Sequence, residues 1–244
     1  MRILKSRLLA DVPHGFTTRD GGISRAPWDA LNLGGAVGDD PAAVGENWAR
    51  LERETGLRFA RVRQVHGARA LRAAAPTAPV EEADAVVSVT PGVAACVSVA
   101  DCVPVLLADP VGGAVAAIHA GWRGTAARAA AEGVRALVRE GAEPGRLVAA
   151  VGPSIGPCCY EVSPELADRF GREIGPEAVA LGGGAPRLDL WRANVRVLLD
   201  AGLAAERIEV VGRCTACERE LFFSHRRDAG RTGRQVGFIA PLAR

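Results

Sequence analysis

The chain is poor in several kinds of side chain. Its 244 residues hold one methionine, one tyrosine, four histidines and a single lysine, Lys5, and aromatic residues make up 5%. No run of about 18 apolar residues occurs, which argues against a membrane-spanning helix. No block of like charge occurs either: 30 Lys+Arg against 28 Asp+Glu leave a formal charge of +2. A nucleic-acid binder normally shows a stronger basic footprint, so no nucleic-acid partner is expected. A few placed arginines can still hold a phosphate without moving the total. The glycines form no GxGxxG opening a helix and no Walker-type loop, so a dinucleotide fold and a P-loop are not indicated. The opening MRILKSRLLADVPHGF is too short in apolar residues for a secretory signal, and a cytoplasmic location is expected. Repeats and low-complexity linkers are missing, which favours one domain over residues 1–244.

What is present suits a large core. Hydrophobic residues make up 48% and charged residues 24%, a globular balance. Six cysteines, at 96, 102, 158, 159, 214 and 217, in a chain expected in a reducing compartment, read as thiols or metal ligands rather than disulfides. APTAP (75–79) and LGGGAP (181–186) read as surface loops.

Asp40-Pro41 and Ser163-Pro164 are cap-plus-proline signals for helix starts, leading into AAVGENWARLERETG and ELADRFGREIG. WRANVRVLLDAG is amphipathic, and Thr125 is expected to cap the longest helix, over 125–140. Strands are expected at 61–66, 84–89, 93–99, 103–109, 114–119, 147–152, 207–212 and 235–240. The two runs joined by Pro-Val-Gly-Gly (110–113) predict a hairpin and hence mixed or antiparallel pairing.

In AVAAIHAGWRGT (114–125) a run suited to burial stops at His119, whose two ring nitrogens need partners. GWRG then suits a tight loop. Cys102, between VAACVSVAD and VPVLLAD, and His66, closing RVRQV, interrupt apolar runs in the same way. Strand-end positions would let the three converge at one end of a sheet. Taken singly, each also reads as a packed residue, because buried cysteine is usually an inert small hydrophobe and a lone histidine usually structural.

Five ordered motifs, RQVHG (63–67), ADCVPVLL (100–107), HAGWRGT (119–125), VGPSIGPCCYEV (151–162) and FFSHRRD with TGRQVGFI (222–239), resemble the YfiH family, also called the DUF152 or laccase-domain family. TTRDGGIS (17–24) and LNLGGAVGDD (31–40) match its amino-terminal signature. Members go under the names polyphenol oxidase, purine nucleoside phosphorylase and peptidoglycan-editing factor. The resemblance implies a single α+β domain, with mixed β-sheets stacked as a β-sandwich-like core flanked by helices. It also implies that His66, Cys102 and His119 are a metal site, usually described as zinc. Two imidazoles and a thiolate suit Zn²⁺, and three protein ligands leave a position open for water or substrate. Activated water there would serve the adenosine deaminase activity credited to the family. Asp101 reads as an acceptor supporting the site rather than as the proton carrier.

Phosphorolysis of purine nucleosides (adenosine, inosine, S-methyl-5'-thioadenosine), the other activity the resemblance implies, requires a grip on phosphate. Arg19 and Arg123 are the candidates, because a guanidinium fork matches phosphate oxygens, and Asn32 is the candidate for a ribose hydroxyl. Each reads equally as a loop contact. Tyr160 and Trp122 read either as pocket walls stacking on a base or as core. Cys158-Cys159 with Cys214-Thr-Ala-Cys217 invite a four-cysteine zinc reading. It is set aside here, because adjacent cysteines on a strand point apart and one CxxC is weak. His225 reads as solvated or at the mouth of the site, and His14 as local structure.

Three alternatives use the same residues. Cys102 with His119 or His66 would make a metal-free amidase-type hydrolase, a route to editing peptidoglycan precursors. Copper at the site would make a polyphenol oxidase, although four histidines are few for a multicopper arrangement. A metal-stabilised scaffold is the non-enzyme reading. Monomer and homodimer are both compatible with the sequence.

Overall fold

The computed structural model describes residues 1–78, 80–180 and 184–242. Its strands are β1 (Ile3–Leu4), β2 (His14–Thr17), β3 (Arg58–Ala60), β4 (Ala70–Ala73), β5 (Ala85–Ser88), β6 (Val93–Val99), β7 (Val103–Ala108), β8 (Val115–Ala120), β9 (Val148–Val151), β10 (Val179–Ala180), β11 (Arg187–Leu188), β12 (Ile208–Val210) and β13 (Gln235–Ile239). The helices are α1 (Pro41–Thr55), α2 (Trp122–Ala126), α3 (Ala129–Arg139), α4 (Pro164–Glu173) and α5 (Leu190–Asp200).

Two mixed sheets face each other. One runs β1-β2-β13-β6-β3, the other β12-β9-β7-β8-β5-β4. Most pairs are antiparallel; β3 with β6, β4 with β5 and β12 with β9 are parallel. The central strands read as continuous apolar runs because both of their faces are covered. In β7, Val103, Val105 and Leu107 face the helices, while Leu106 and Ala108 face the other sheet. In β8, Ala116, Ile118 and Ala120 face the helices, and Val115 and Ala117 the sheet. Helices α3, α4 and α5 cover the six-stranded sheet through residues such as Val134, Leu137, Phe170 and Leu198. Helix α1 covers the outer face of the other sheet with Trp48 and Leu51, against Phe59 and Phe238. The result is the single α+β domain with a sandwich-like core that the motifs imply.

The 110–113 hairpin forms as expected, with Ala108 opposite Val115. Asp40 caps α1 by accepting from the Ala42 amide, and Ser163 caps α4 by accepting from the Leu166 amide. Three local expectations change. Residues 61–66 are not a strand; beyond Ala60 the segment makes one bridge, Arg63 to Glu82, and turns at His66 with φ 60°. The 125–140 helix is broken at Arg128, whose φ is 57° and whose guanidinium meets Asp200 of α5 at 2.9 Å. Thr125 therefore lies inside α2, buried, with its hydroxyl accepting from Asn194 at 3.0 Å, and it caps nothing. The longest helix is α1, at 15 residues. Trp122 and Arg123 of the expected loop are helical, in α2. Of the two proposed surface loops, Pro79 and residues 181–183 lie outside the described residues.

Helix α3 lies tightly on β8 because Gly133 has no side chain. A Cβ there would stand 2.7 Å from Cγ1 of Ile118, the residue before His119.

Candidate metal centre and active site

Three elements deliver the three ligand-type side chains. His119 is the penultimate residue of β8, Cys102 sits in the turn between β6 and β7, and His66 lies in the loop between β3 and β4. Their ligand atoms all lie within 4.8 Å of one another, and the two imidazoles meet edge to face with centroids 4.8 Å apart. His119 is buried, Cys102 half-buried and His66 exposed, so the cluster opens on the His66 side. Gly121 lets them approach: a Cβ there would stand 2.7 Å from Cys102 Sγ and 3.4 Å from the His66 ring. The empty space at residue 121 is thus needed by the cluster itself.

Asp84, fully buried immediately before β5, holds the arrangement together. Its Oδ1 accepts from His119 Nδ1 at 2.8 Å and from the His66 amide at 2.9 Å. Its Oδ2 accepts from the amides of Gly67 at 2.6 Å and Val65 at 3.3 Å. One carboxylate therefore fixes a ring and a loop, and it leaves His119 Nε2 as the nitrogen that faces the cluster. Burial alone would raise the Asp84 pKa; the His119 and amide hydrogen bonds outweigh it and hold the carboxyl below its ordinary value.

Without a metal, the same contacts make an ion pair. Burial opposes ionisation of Cys102, yet the charge and hydrogen bonds of His119 and His66 bring its thiol down to about 6. Burial likewise opposes charge on His119, but Cys102 and Asp84 raise it to about 9. A thiolate beside two imidazoles, one oriented by a buried carboxylate, is a donor set that fits zinc or copper.

The surroundings are cationic. Arg123 is exposed in α2, with its guanidinium 4.3 Å from the Trp122 ring centroid. Arg226 lies 5.0 Å from the Tyr160 ring centroid. The charges of both guanidiniums, and of Cys102 and Asp101, are felt at the Tyr160 hydroxyl, whose pKa burial pushes up to about 12. Arg234 faces the charges of Cys102 and Asp101, and burial lowers its pKa. Among the described residues none of these three guanidiniums has a carboxylate within salt-bridge distance. Arg226 and Arg234 were not singled out from the sequence; both lie inside its motifs, in FFSHRRD and TGRQVGFI. Trp122 and Tyr160, both half-buried, pack against the helix-side core. Asp101 accepts from the Thr215 hydroxyl at 2.7 Å and the Arg226 amide at 2.6 Å, so it ties loops together at the cluster's edge.

Two expected substrate contacts sit differently. Asn32 is fully buried: its amide donates to Gly34 O and Asp39, and its oxygen accepts from the amides of Gly34 and Arg234. No group is left for a ribose hydroxyl, and Asn32 instead places the Arg234 backbone. The Arg19 guanidinium is held by Asp29 at 3.0 Å and by the Asp29 and Arg219 carbonyls, beside the Phe223 ring. It lines a separate polar groove of about 900 Å³ with Asp20, Asp228 and Arg231. His14 is buried in β2, bonded to Val12 O and the Ser6 amide, and His225 is exposed. Neither joins the cluster, which leaves two imidazoles for any metal there.

The set-aside cysteines do gather. Cys158, Cys159, Cys214 and Cys217 have sulfurs within 4.8 Å of one another. The reason is local: residues 157–159 form a turn, not a strand, so neighbouring side chains converge instead of alternating.

Residues 13–241 match the profile of the family described as multi-copper polyphenol oxidoreductase laccase. A protein named purine nucleoside phosphorylase from Deinococcus radiodurans is 46% identical over 231 residues, covering 93% of this chain and 88% of that one. Another of that name from Streptomyces coelicolor is 45% identical over 235 residues, covering 92% and 93%. Among solved structures, Bacillus licheniformis YfiH superposes with a TM-score of 0.92 at 34% identity, covering 98% of this chain and 96% of its own. YlmD from Geobacillus stearothermophilus gives 0.90 at 37% identity, covering 98% and 94%. With the profile spanning nearly the whole chain and the fold shared throughout, this protein belongs to the YfiH, or laccase-domain, family.

Proposed function

We propose that this protein is a zinc-dependent purine nucleoside phosphorylase. Its substrates are adenosine, inosine and S-methyl-5'-thioadenosine with phosphate, and adenosine deamination is a second activity of the same site. The observation that carries this reading is the juxtaposition of the His66, Cys102 and His119 cluster with three guanidiniums, of Arg123, Arg226 and Arg234, that have no carboxylate within salt-bridge distance among the described residues. Two relatives above 40% identity bear the phosphorylase name, which supports it.

His66, Cys102 and His119 would hold the zinc, which supplies a Lewis-acid centre with one open position. Asp84 keeps the His119 ring in place throughout. Arg123, Arg226 and Arg234 bind phosphate, whose oxygens match the guanidinium forks. Tyr160 and Trp122 offer ring faces to the purine. A phosphate oxygen bonds to ribose C1′ as the bond from C1′ to the purine nitrogen breaks; its electron pair stays on the purine, which takes a proton. Ribose 1-phosphate and free base leave.

The test is incubation of metal-analysed protein with inosine and phosphate. Hypoxanthine and ribose 1-phosphate should appear in equal amounts, with none in a Cys102→Ala variant. Zinc-loaded protein that releases no hypoxanthine overturns the reading. The connected trio Cys102, His119 and Asp84 favours a second reading: a metal-free amidase with Cys102 as nucleophile, His119 as base and Asp84 as orienting group. It predicts protein without metal that is rapidly alkylated at Cys102, where zinc-loaded protein resists.

A further inference from the structure

The four-cysteine cluster stands apart from the site just described. Cys158 and Cys159 lie in the turn after β9, Cys214 and Cys217 in the loop between β12 and β13. Cys217 Sγ is 3.3 Å from Cys159 Sγ and 3.6 Å from Cys158 Sγ. Four sulfurs at zinc–thiolate distance, ~2.3 Å, on a tetrahedron are about 3.8 Å apart. A disulfide would draw one pair to ~2.05 Å and needs no third sulfur. Here one sulfur is shared almost equally by two neighbours, and the fourth closes the group.

The backbone around Cys214 is arranged for a charged sulfur. Its Sγ accepts the Gly156 amide at 3.2 Å and also the Cys217 amide, so the two loops converge on one sulfur. Gly156 makes this approach possible, since a Cβ there would stand 3.2 Å from Cys158 Sγ and 3.3 Å from Cys214 Cβ. Cys214 is buried at the base of the cluster, while Cys158 and Cys217 are exposed and give an ion a way in. Four thiolates crowded this closely repel one another unless a cation lies among them.

We propose that Cys158, Cys159, Cys214 and Cys217 bind a zinc ion in a closed four-thiolate site, distinct from His66, Cys102 and His119. Each thiol gives its proton to solvent as its sulfur bonds to the metal, and no electron is transferred. Four protein ligands leave no position for substrate, so the site is structural. Its position shows what it clamps. One loop continues from Cys159 into Tyr160. The other carries Thr215, which donates to Asp101 at 2.7 Å and accepts from Arg227 at 2.7 Å through its carbonyl. The ion would join the loop of Tyr160 to the loop that holds Asp101 beside Cys102.

The proposal does not rest on the phosphorylase reading, and its test avoids the other site. Full-length protein carrying His66→Ala and Cys102→Ala is purified under reducing conditions with zinc supplied, then dialysed and its metal counted. One zinc per chain is expected, and none after further Cys158→Ser and Cys217→Ser substitution of these exposed residues. Chelating that zinc should lower Tm, because binding energy at a structural site is folding energy. Cobalt exchanged into the unsubstituted protein should add the sulfur-to-cobalt charge-transfer bands of a four-sulfur tetrahedral site, a readout that needs no variant to fold. No zinc in the His66/Cys102 variant, no such bands, or a disulfide joining any two of the four cysteines in freshly purified protein would overturn the proposal.

Discussion

Asp84 shows how much rests on one side chain. It has no exposure to water, and four accepted hydrogen bonds together with the charge of His119 compensate its burial. Asp84→Asn keeps the shape but replaces one acceptor oxygen with an NH₂ that faces a donor. Metal affinity at the His66, Cys102 and His119 site should fall ~10–100-fold, as is typical when the partner of a metal-binding histidine is changed. Competition with a chelator measures it; unchanged affinity would mean that the carboxylate serves the fold alone. The three ligand-type residues stood out in the sequence at the ends of strand-like runs, but taken singly each also reads as packed, and it was the resemblance that implied one metal site. Asp84 did not stand out, since a carboxylate opening a strand says nothing of a histidine 35 positions on. Asn32 misled for a related reason: a polar residue among glycines looks exposed until its partners are seen.

At the scale of elements, the β7–β8 hairpin carries the chain from Cys102 to His119, and its far end is pinned by Asp109. That carboxylate, almost wholly buried, accepts from Arg146 through two bonds of 2.9 and 3.0 Å and from the Val111 amide at 3.0 Å. Burial would raise its pKa, but the Arg146 and amide hydrogen bonds outweigh that and hold it below the ordinary carboxylate value. Because the folded value is the lower one, the stabilisation is fully present above the unfolded pKa and is lost as pH falls through the folded value. Asp109→Asn should cost about 1–3 kcal/mol at neutral pH, with the deficit shrinking on acidification below the carboxylate range. Denaturant titrations of both proteins across that range check it; a pH-independent deficit would assign the loss to packing. The hairpin was legible from Pro-Val-Gly-Gly between two apolar runs. The break between α2 and α3 was not, because TAARAAAEGVRALVREG contains no proline, and its two glycines, Gly133 and Gly141, lie beyond the break; the chain turns at Arg128, whose guanidinium meets Asp200 on α5.

At the scale of the whole molecule, the seam where the two sheets meet is one of the buried hydrophobic cores. Phe16 of β2 is 2% exposed and lies in the inter-sheet cluster with Val97, Leu106, Ala117 and Ile239. Two glycines, Gly152 and Gly237, leave room for its ring; a Cβ at either would touch it. Phe16→Ala should cost about 3–5 kcal/mol, the range for a buried phenylalanine whose surroundings cannot collapse into the gap. Urea unfolding reads it, and a loss under about 1 kcal/mol would show that the neighbouring sheet closes over the cavity. The layer order was not legible from periodicity, since strands covered on both faces lose their alternation. It came from resemblance and was then seen in the structure.

What the sequence by itself determined is local: which segments are apolar enough to be strands, where caps start α1 and α4, and which rare side chains sit where an apolar run ends. Those follow from propensity and burial, which act over a few residues. Only the tertiary structure decided which rare side chains meet. His66, Cys102 and His119 are joined by sheet register, by a loop turned at positive φ and by Asp84; the four cysteines are joined by a turn that points neighbours the same way. Convergence across tens of residues is set by how sheets and loops pack, and no short-range pattern encodes that distance.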